Sequence, residues 1–135
     1  VTVKEIMTKD LVVVSPTDRL IHARRQMMEA HVGRVPVLDD EELVGVVTSK
    51  DLMRAFIDFR KNVPEKYQKS QIKEVLVEYI MSTHPTVTTK DATISEVAKI
   101  MMETGYNGLP VVEGGKVVGI ITQTDILRLI EKLES

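Results

Sequence analysis

"GIITQTD", residues 119–125, reads as a short β-branched strand running into a helix start. "GVVTSKD", residues 45–51, spells the same pattern 74 residues earlier. Sliding the chain by that offset without a gap also superposes Ile6-Met7 on Ile80-Met81 and Met27-Met28-Glu29 on Met101-Met102-Glu103. Pro36-Val37 falls on Pro110-Val111, and Arg54 on Arg128. Identities this widely spread in one register mark an internal duplication, and a repeat decides the architecture before any single element does.

A chain of 135 residues is enough for one compact domain or two small halves. Each half is marginal alone, because a chain of roughly 60 residues buries only about 60% of its unfolded surface. The halves are therefore expected to pack together. The formal net charge of −2 offers no attraction to nucleic acid or to an anionic membrane. With no cysteine, disulfides, thiolate metal sites and thiol catalysis are excluded. No apolar run approaches the roughly 20 residues of a membrane helix and no signal-peptide pattern opens the chain. The expectation is a cytoplasmic protein. Val1 rather than Met stands first, which leaves open an upstream start and further domains.

Each half reads strand, helix, strand, strand, helix. "LVVV" (11–14) is a short β-rich run followed by the turn "SPTD". "RLIHARRQMMEAH" then sets Leu20, Ala23 and Met27 on one helical face. "RVPVL" and "ELVGVV" are strands joined by Asp39-Asp40-Glu41, and "SKDLMRAFIDF" closes the half as a helix. In the second half Thr93 and Glu96 predict a capping box before Ile94, and "EGGK" predicts a tight hairpin turn. Between the halves lies a basic connector carrying Arg60, Lys61, Lys66, Lys69 and Lys73. Pro64 breaks it, and helix is expected from about Glu65. The divisions are 1–57 for repeat one, 58–74 for the connector and 75–135 for repeat two.

This doubled β-α-β-β-α unit resembles a tandem pair of CBS (cystathionine β-synthase) domains, together a Bateman module. Ile6-Met7 and Ile80-Met81 look like the family's opening "IM" turn, and Pro36-Val37 and Pro110-Val111 like its "PV" strand. The two Gly-apolar-apolar-Thr-x-x-Asp stretches look like its signature. The resemblance covers nearly the whole chain apart from the connector. It implies an α/β (α+β) fold in which two repeats pack sheet to sheet about a pseudo-twofold axis, leaving two related clefts. Such clefts commonly take AMP, ADP, ATP or S-adenosylmethionine, and such pairs often form flat homodimers. Family modules regulate attached or partner activities in IMP dehydrogenase, in chloride and magnesium transporters and in AMP-activated protein kinase.

The residues themselves suit a nucleotide. Ribose offers two neighbouring hydroxyls, which match the two oxygens of a carboxylate such as Asp51 or Asp125. A helix N-terminus favours phosphate through its free N–H groups and dipole, and Thr48 and Thr122 add hydroxyls. Capping alone accounts for Thr-x-x-Asp, but not for its exact pairing or for Gly45 and Gly119. By resemblance, one cleft combines Thr122, Thr124 and Asp125 with Met7, Val12, Val32, Gly33 and Arg34. The other combines Thr48, Lys50 and Asp51 with Met81, Thr86, Tyr106, Asn107 and Gly108. Arg34 lies just before its "PV" strand, where Gly108 stands in repeat two, so the Asp125 cleft is expected to be the better phosphate site. Lys50, opposite neutral Thr124, weighs the other way.

Other constellations are weaker. His22, His31 and His84 show no ligand spacing, so no metal is expected. Met27-Met28 and Met101-Met102 are expected in the core where the repeats meet. Nothing orders a nucleophile against a base, so no catalytic residue and no required cofactor are expected. The reading is a non-catalytic regulatory module that binds an adenosine-containing ligand and signals to an unknown partner. Its rivals are a structural dimerisation module with empty clefts, a nucleic-acid-associated protein using the basic connector, and a fragment of a larger enzyme or transporter.

Overall fold

The computed structural model describes residues 1–134. Ten elements run in order: α1 (Val3–Ile6), α2 (Leu20–Ala30), β1 (Arg34–Asp39), β2 (Glu42–Thr48), α3 (Ser49–Asn62), α4 (Glu65–Gln71), α5 (Ile94–Thr104), β3 (Gly108–Glu113), β4 (Lys116–Thr122) and α6 (Gln123–Glu134). Two 3₁₀ turns, Ile72–Glu74 and Val77–Tyr79, follow α4. The fold class is mixed helix and sheet.

The chain divides into two compact units, each combining most of one repeat with the opening segment of the other. One unit joins Val1–Leu11 to the chain from Thr86 on, and the other is Val12–Pro85. In the Val12–Pro85 unit β1 and β2 pair antiparallel, with Arg34 opposite Thr48 and Val37 opposite Gly45. Their core is Val14, Ala23, Met27, Val35, Val37, Val47 and Val77. The other unit repeats the plan, with Gly108 opposite Thr122, Val111 opposite Gly119, and a core of Val3, Val97, Met101, Leu109, Val111 and Ile121. Both hairpins carry a register shift at the same place, between Val37 and Leu38 and between Val111 and Val112.

Val3 and Val77 occupy equivalent repeat positions, and each is wholly buried in the core built mainly by the other repeat. Burying a valine side chain contributes about 2 kcal/mol. Backbone hydrogen bonds hold the exchanged segments. Thr8 N donates to Ile120 O (2.8 Å) and Ile120 N to Thr8 O (2.9 Å). Ser82 and Val46 make the same reciprocal pair at 2.9 and 3.0 Å.

The expected first strand of each repeat shrinks to one parallel bridge, Val14 with Val37 and Thr88 with Val111. Proline explains the limit. Val14 N donates to Pro36 O and Leu38 N to Val14 O, and the next rung toward residue 12 would need an N–H on Pro36. Pro110 imposes the same stop on the run before Thr88.

The methionine pairs split. Met27 and Met101 are buried within their own units, whereas Met28 and Met102 are exposed. Consecutive helical residues point about 100° apart, so both members of a pair cannot face one core. The predicted capping box forms: Glu96 N donates to Thr93 Oγ1 (3.1 Å) and Thr93 N to Glu96 Oε2 (3.3 Å). Gly114 and Gly115 both take positive φ, as the two-residue hairpin turn requires. Residues 58–62 of the expected connector continue α3, and the connector is helical again from Glu65. No helix among the described residues is long and apolar enough to cross a membrane.

Candidate functional site

Each signature stretch delivers its aspartate to the third position of a helix. Thr48 caps α3 in extended conformation; Asp51 N donates to Thr48 Oγ1 (3.1 Å) and Thr48 N to Asp51 Oδ2 (2.9 Å). At α6 the same box forms between Thr122 and Asp125, at 3.3 Å for Asp125 N and 2.9 Å for Thr122 N, and the Thr122 hydroxyl also donates to Asp125 Oδ2 (3.0 Å). Both aspartates are only 6% exposed, the sole buried acids among the described residues.

The second oxygen of each carboxylate is held differently. Thr8 Oγ1 donates to Asp125 Oδ1 at 3.1 Å. Its repeat-mate Ser82 lies 3.5 Å from Asp51 Oδ1, which also accepts from the Arg54 guanidinium at 3.3 Å. Each carboxylate thus takes three donors against about four acceptor positions. Neither Thr8 nor Ser82 was singled out from the sequence. Both sit directly after the "IM" turn, and the shared hydroxyl at one offset was the available signal.

The helix starts also present backbone donors. Ser49 N donates to Gly33 O and Gln123 N to Asn107 O, each at 2.9 Å. The N–H groups of Lys50 and Thr124, next in line, take no acceptor among the described residues. The geometry suits an anion at each helix start, alongside a carboxylate able to accept from a hydroxyl.

The remaining expected residues distribute by unit. Met7, Thr86, Tyr106, Asn107, Gly108, Thr122, Thr124 and Asp125 belong to the unit containing α6, and Val12, Val32, Gly33, Arg34, Thr48, Lys50, Asp51 and Met81 to the unit containing α3. Met7 and Met81 are half-buried core residues. Their sulfurs explain the signature glycines: a Cβ at Gly119 would lie 2.7 Å from Met7 Sδ, and one at Gly45 2.8 Å from Met81 Sδ. Arg34 stands opposite Thr48 in its own ladder. Lys50, Thr124, Thr86, Val32, Tyr106 and Asn107 are exposed, and Val12 packs at the edge of its core. Among the described residues no three His, Asp or Glu side chains group as a metal site.

Comparison with known proteins matches the CBS domain family over residues 3–58 and 72–132. The chloroplastic CBS domain-containing protein CBSX1 of Arabidopsis thaliana is 34% identical over 148 residues, covering 94% of this chain and 63% of that protein. Protein MJ1404 of Methanocaldococcus jannaschii is 31% identical over 136 residues, covering 98% of this chain and 32% of its own length. The chain spans between about a third and under half of the first three curated relatives it matches. Among solved structures, CBSX2 in complex with AMP superposes with a TM-score of 0.82 at 30% identity, covering 99% of this chain and 98% of that one. The CBS domain pair of MJ0100, in complex with 5′-methylthioadenosine and S-adenosyl-L-methionine, gives 0.80 at 27% identity with 98% of each chain covered. With two matched segments in one chain, this protein belongs to the CBS domain family and carries the domain as a tandem pair.

Proposed function

We propose that the chain is a non-catalytic regulatory module that binds an adenosine-containing ligand of the AMP, ADP, ATP or S-adenosylmethionine type. The observation that carries this reading is the duplicated arrangement of a buried carboxylate with acceptor capacity left, beside an open helix N–H. Asp51 and Asp125 accept from ribose hydroxyls. Thr48, Thr122 and the N–H groups of Lys50 and Thr124 receive phosphate or the ribose edge. The other residues of the two sets implied by the family complete the proposal. The AMP bound by CBSX2 and the S-adenosyl-L-methionine and 5′-methylthioadenosine bound by the MJ0100 pair support the ligand class. Ligand shifts the population between two arrangements of the module, and an attached or partner domain reads the difference.

The module also acts as a homodimer in this reading. Met53, Phe56 and Ile57 on α3, and Leu127, Ile130 and Leu133 on α6, are large apolar side chains left exposed. Mass measurement in solution, with Phe56→Glu as the disrupting variant, tests that part.

Thermal unfolding with AMP, ADP, ATP, S-adenosylmethionine, NAD and GTP tests the ligand. A ligand at about a hundred times its dissociation constant stabilises by about 2.7 kcal/mol. A shift with an adenosine compound, lost in Asp125→Ala, supports the reading. One observation favours the rival structural module: both carboxylates already serve as helix caps. Flat curves across the panel, with Asp51→Ala and Asp125→Ala each costing only about 1 kcal/mol of cap, would establish that rival instead.

A further inference from the structure

The Asp125 centre contains a residue that the proposed ligand need not touch. We infer that Thr8 is the positioning residue of the Asp125 carboxylate, an inference that rests on the reading of Asp125 as the ribose acceptor. Asp125 Oδ2 is held by the backbone N–H and the hydroxyl of Thr122. Those bonds hold one oxygen only and leave Oδ1 free to swing about it through coupled turns of both side-chain torsions, the terminal one being broad and roughly two-fold. Thr8 Oγ1, at 3.1 Å from Oδ1, fixes the second oxygen and with it the direction of the remaining lone pair.

Thr8 is itself immobilised. Its N–H and C=O both pair with Ile120, at 2.8 and 2.9 Å, so its Cα cannot drift from the strand. Its branched Cβ restricts the side-chain torsion further. The repeat-related centre lacks this device in full. Ser82 reaches Asp51 only at 3.5 Å, and the closer donor is Arg54, whose side chain is 64% exposed. A neutral hydroxyl holds Asp125 without itself bringing a positive charge to the carboxylate. A guanidinium holds Asp51 and offsets part of its negative charge. Asp125 is thereby the pre-organised acceptor of the two, and Thr8 makes the difference.

The test compares Thr8→Val, which removes the donor at nearly constant volume, with Thr8→Ser, which restores it. Three-bond couplings to the Asp125 carboxyl carbon, measured in ligand-free protein, report the Asp125 rotamer. Calorimetric titration with AMP, ADP, ATP and S-adenosylmethionine reports affinity. The expected result is one fixed rotamer in the parent and in Thr8→Ser and an averaged one in Thr8→Val. About ten-fold weaker binding by Thr8→Val, recovered by Thr8→Ser, accompanies it. A fixed rotamer or parental affinity in Thr8→Val overturns the inference, as does failure of Thr8→Ser to recover. If the parent binds none of AMP, ADP, ATP and S-adenosylmethionine, the functional reading falls, and the rotamer comparison still decides whether Thr8 positions Asp125.

Discussion

Replacing Gly45 by alanine tests how tightly the exchanged segment seats on the signature strand. A Cβ at Gly45 would stand 2.8 Å from the carbonyl oxygen of Ser82 and 2.8 Å from Met81 Sδ. That is about 0.6 Å inside ordinary contact. The thioether can swing aside, but the carbonyl cannot: it accepts from Val46 N at 3.0 Å, and Ser82 N donates to Val46 O at 2.9 Å. Overpacking of this kind costs about 1–3 kcal/mol, and weakening the two bridge hydrogen bonds adds up to about 1 kcal/mol each. The alanine recovers about 0.4–1 kcal/mol by restricting the unfolded chain. The net is about 2.5 kcal/mol of destabilisation, or about 10 °C in Tm for a chain of this length. Gly119→Ala is the internal control. Its backbone obstacle, Thr8 O, stands at 3.1 Å, so the intrusion is about half as deep and the expected loss is about 1 kcal/mol. Calorimetric or circular-dichroism melts of both variants, with Met81→Ala added to Gly45→Ala, separate carbonyl from thioether. A Gly45→Ala melt within about 2 °C of the parent, or a larger drop in Gly119→Ala, would refute the reasoning.

Two further outcomes follow from particular residues. His31 ends α2 in the left-handed region (φ 55°), where its repeat-mate after α5 is Gly105 (φ 77°). Relief of the left-handed cost, about 1–2 kcal/mol, outweighs the added freedom of glycine in the unfolded chain. His31→Gly is therefore expected to raise the unfolding free energy by about 0.5–1 kcal/mol, and a lower denaturation midpoint would contradict this. The Lys90 ammonium is held above its ordinary value of 10.5 by its hydrogen bond to Glu113 (2.9 Å) and by that carboxylate's charge, with a smaller contribution from Asp91. Because the folded state binds this proton more tightly, its contribution is complete below the unfolded pKa and is lost as pH rises through the folded one. Denaturation series from about pH 9 to 11.5 should show a shallower alkaline decline in Lys90→Met; an unchanged slope counts against the pair.

Much of the candidate site was legible because it is local. Thr-x-x-Asp places a cap and a carboxylate three residues apart, and a helix start satisfies both wherever it sits. The capping boxes at Thr48, Thr93 and Thr122 needed nothing beyond their own turn. The donors to the far carboxylate oxygens were not legible. Thr8 lies 117 residues from Asp125 and Ser82 31 residues from Asp51, and no periodicity connects such positions. The expected first strands failed for a related reason: "LVVV" has strand composition, but its pairing depends on the partner's N–H groups, and Pro36 withholds one.

The sequence by itself determined the duplication, the helices with their caps, the hairpins and the two aspartates. Each of these rests on contacts within a few residues or on an exact offset of 74. Which opening segment completes which core was implied by the resemblance, which set Met7 with Asp125 and Met81 with Asp51, and was decided by the tertiary structure. "VKEIMT" (3–8) and "VEYIMS" (77–82) offer the same buried valine, the same Ile-Met and a hydroxyl. Either would satisfy either core, so local pattern cannot choose between them. The folded chain places Val3 with Val97 and Ile121, and Val77 with Val35 and Val47. That exchange brings Thr8 to Asp125 and Ser82 to Asp51. It is a matter of long-range packing, where the burial of one valine and a reciprocal pair of backbone hydrogen bonds select the partner.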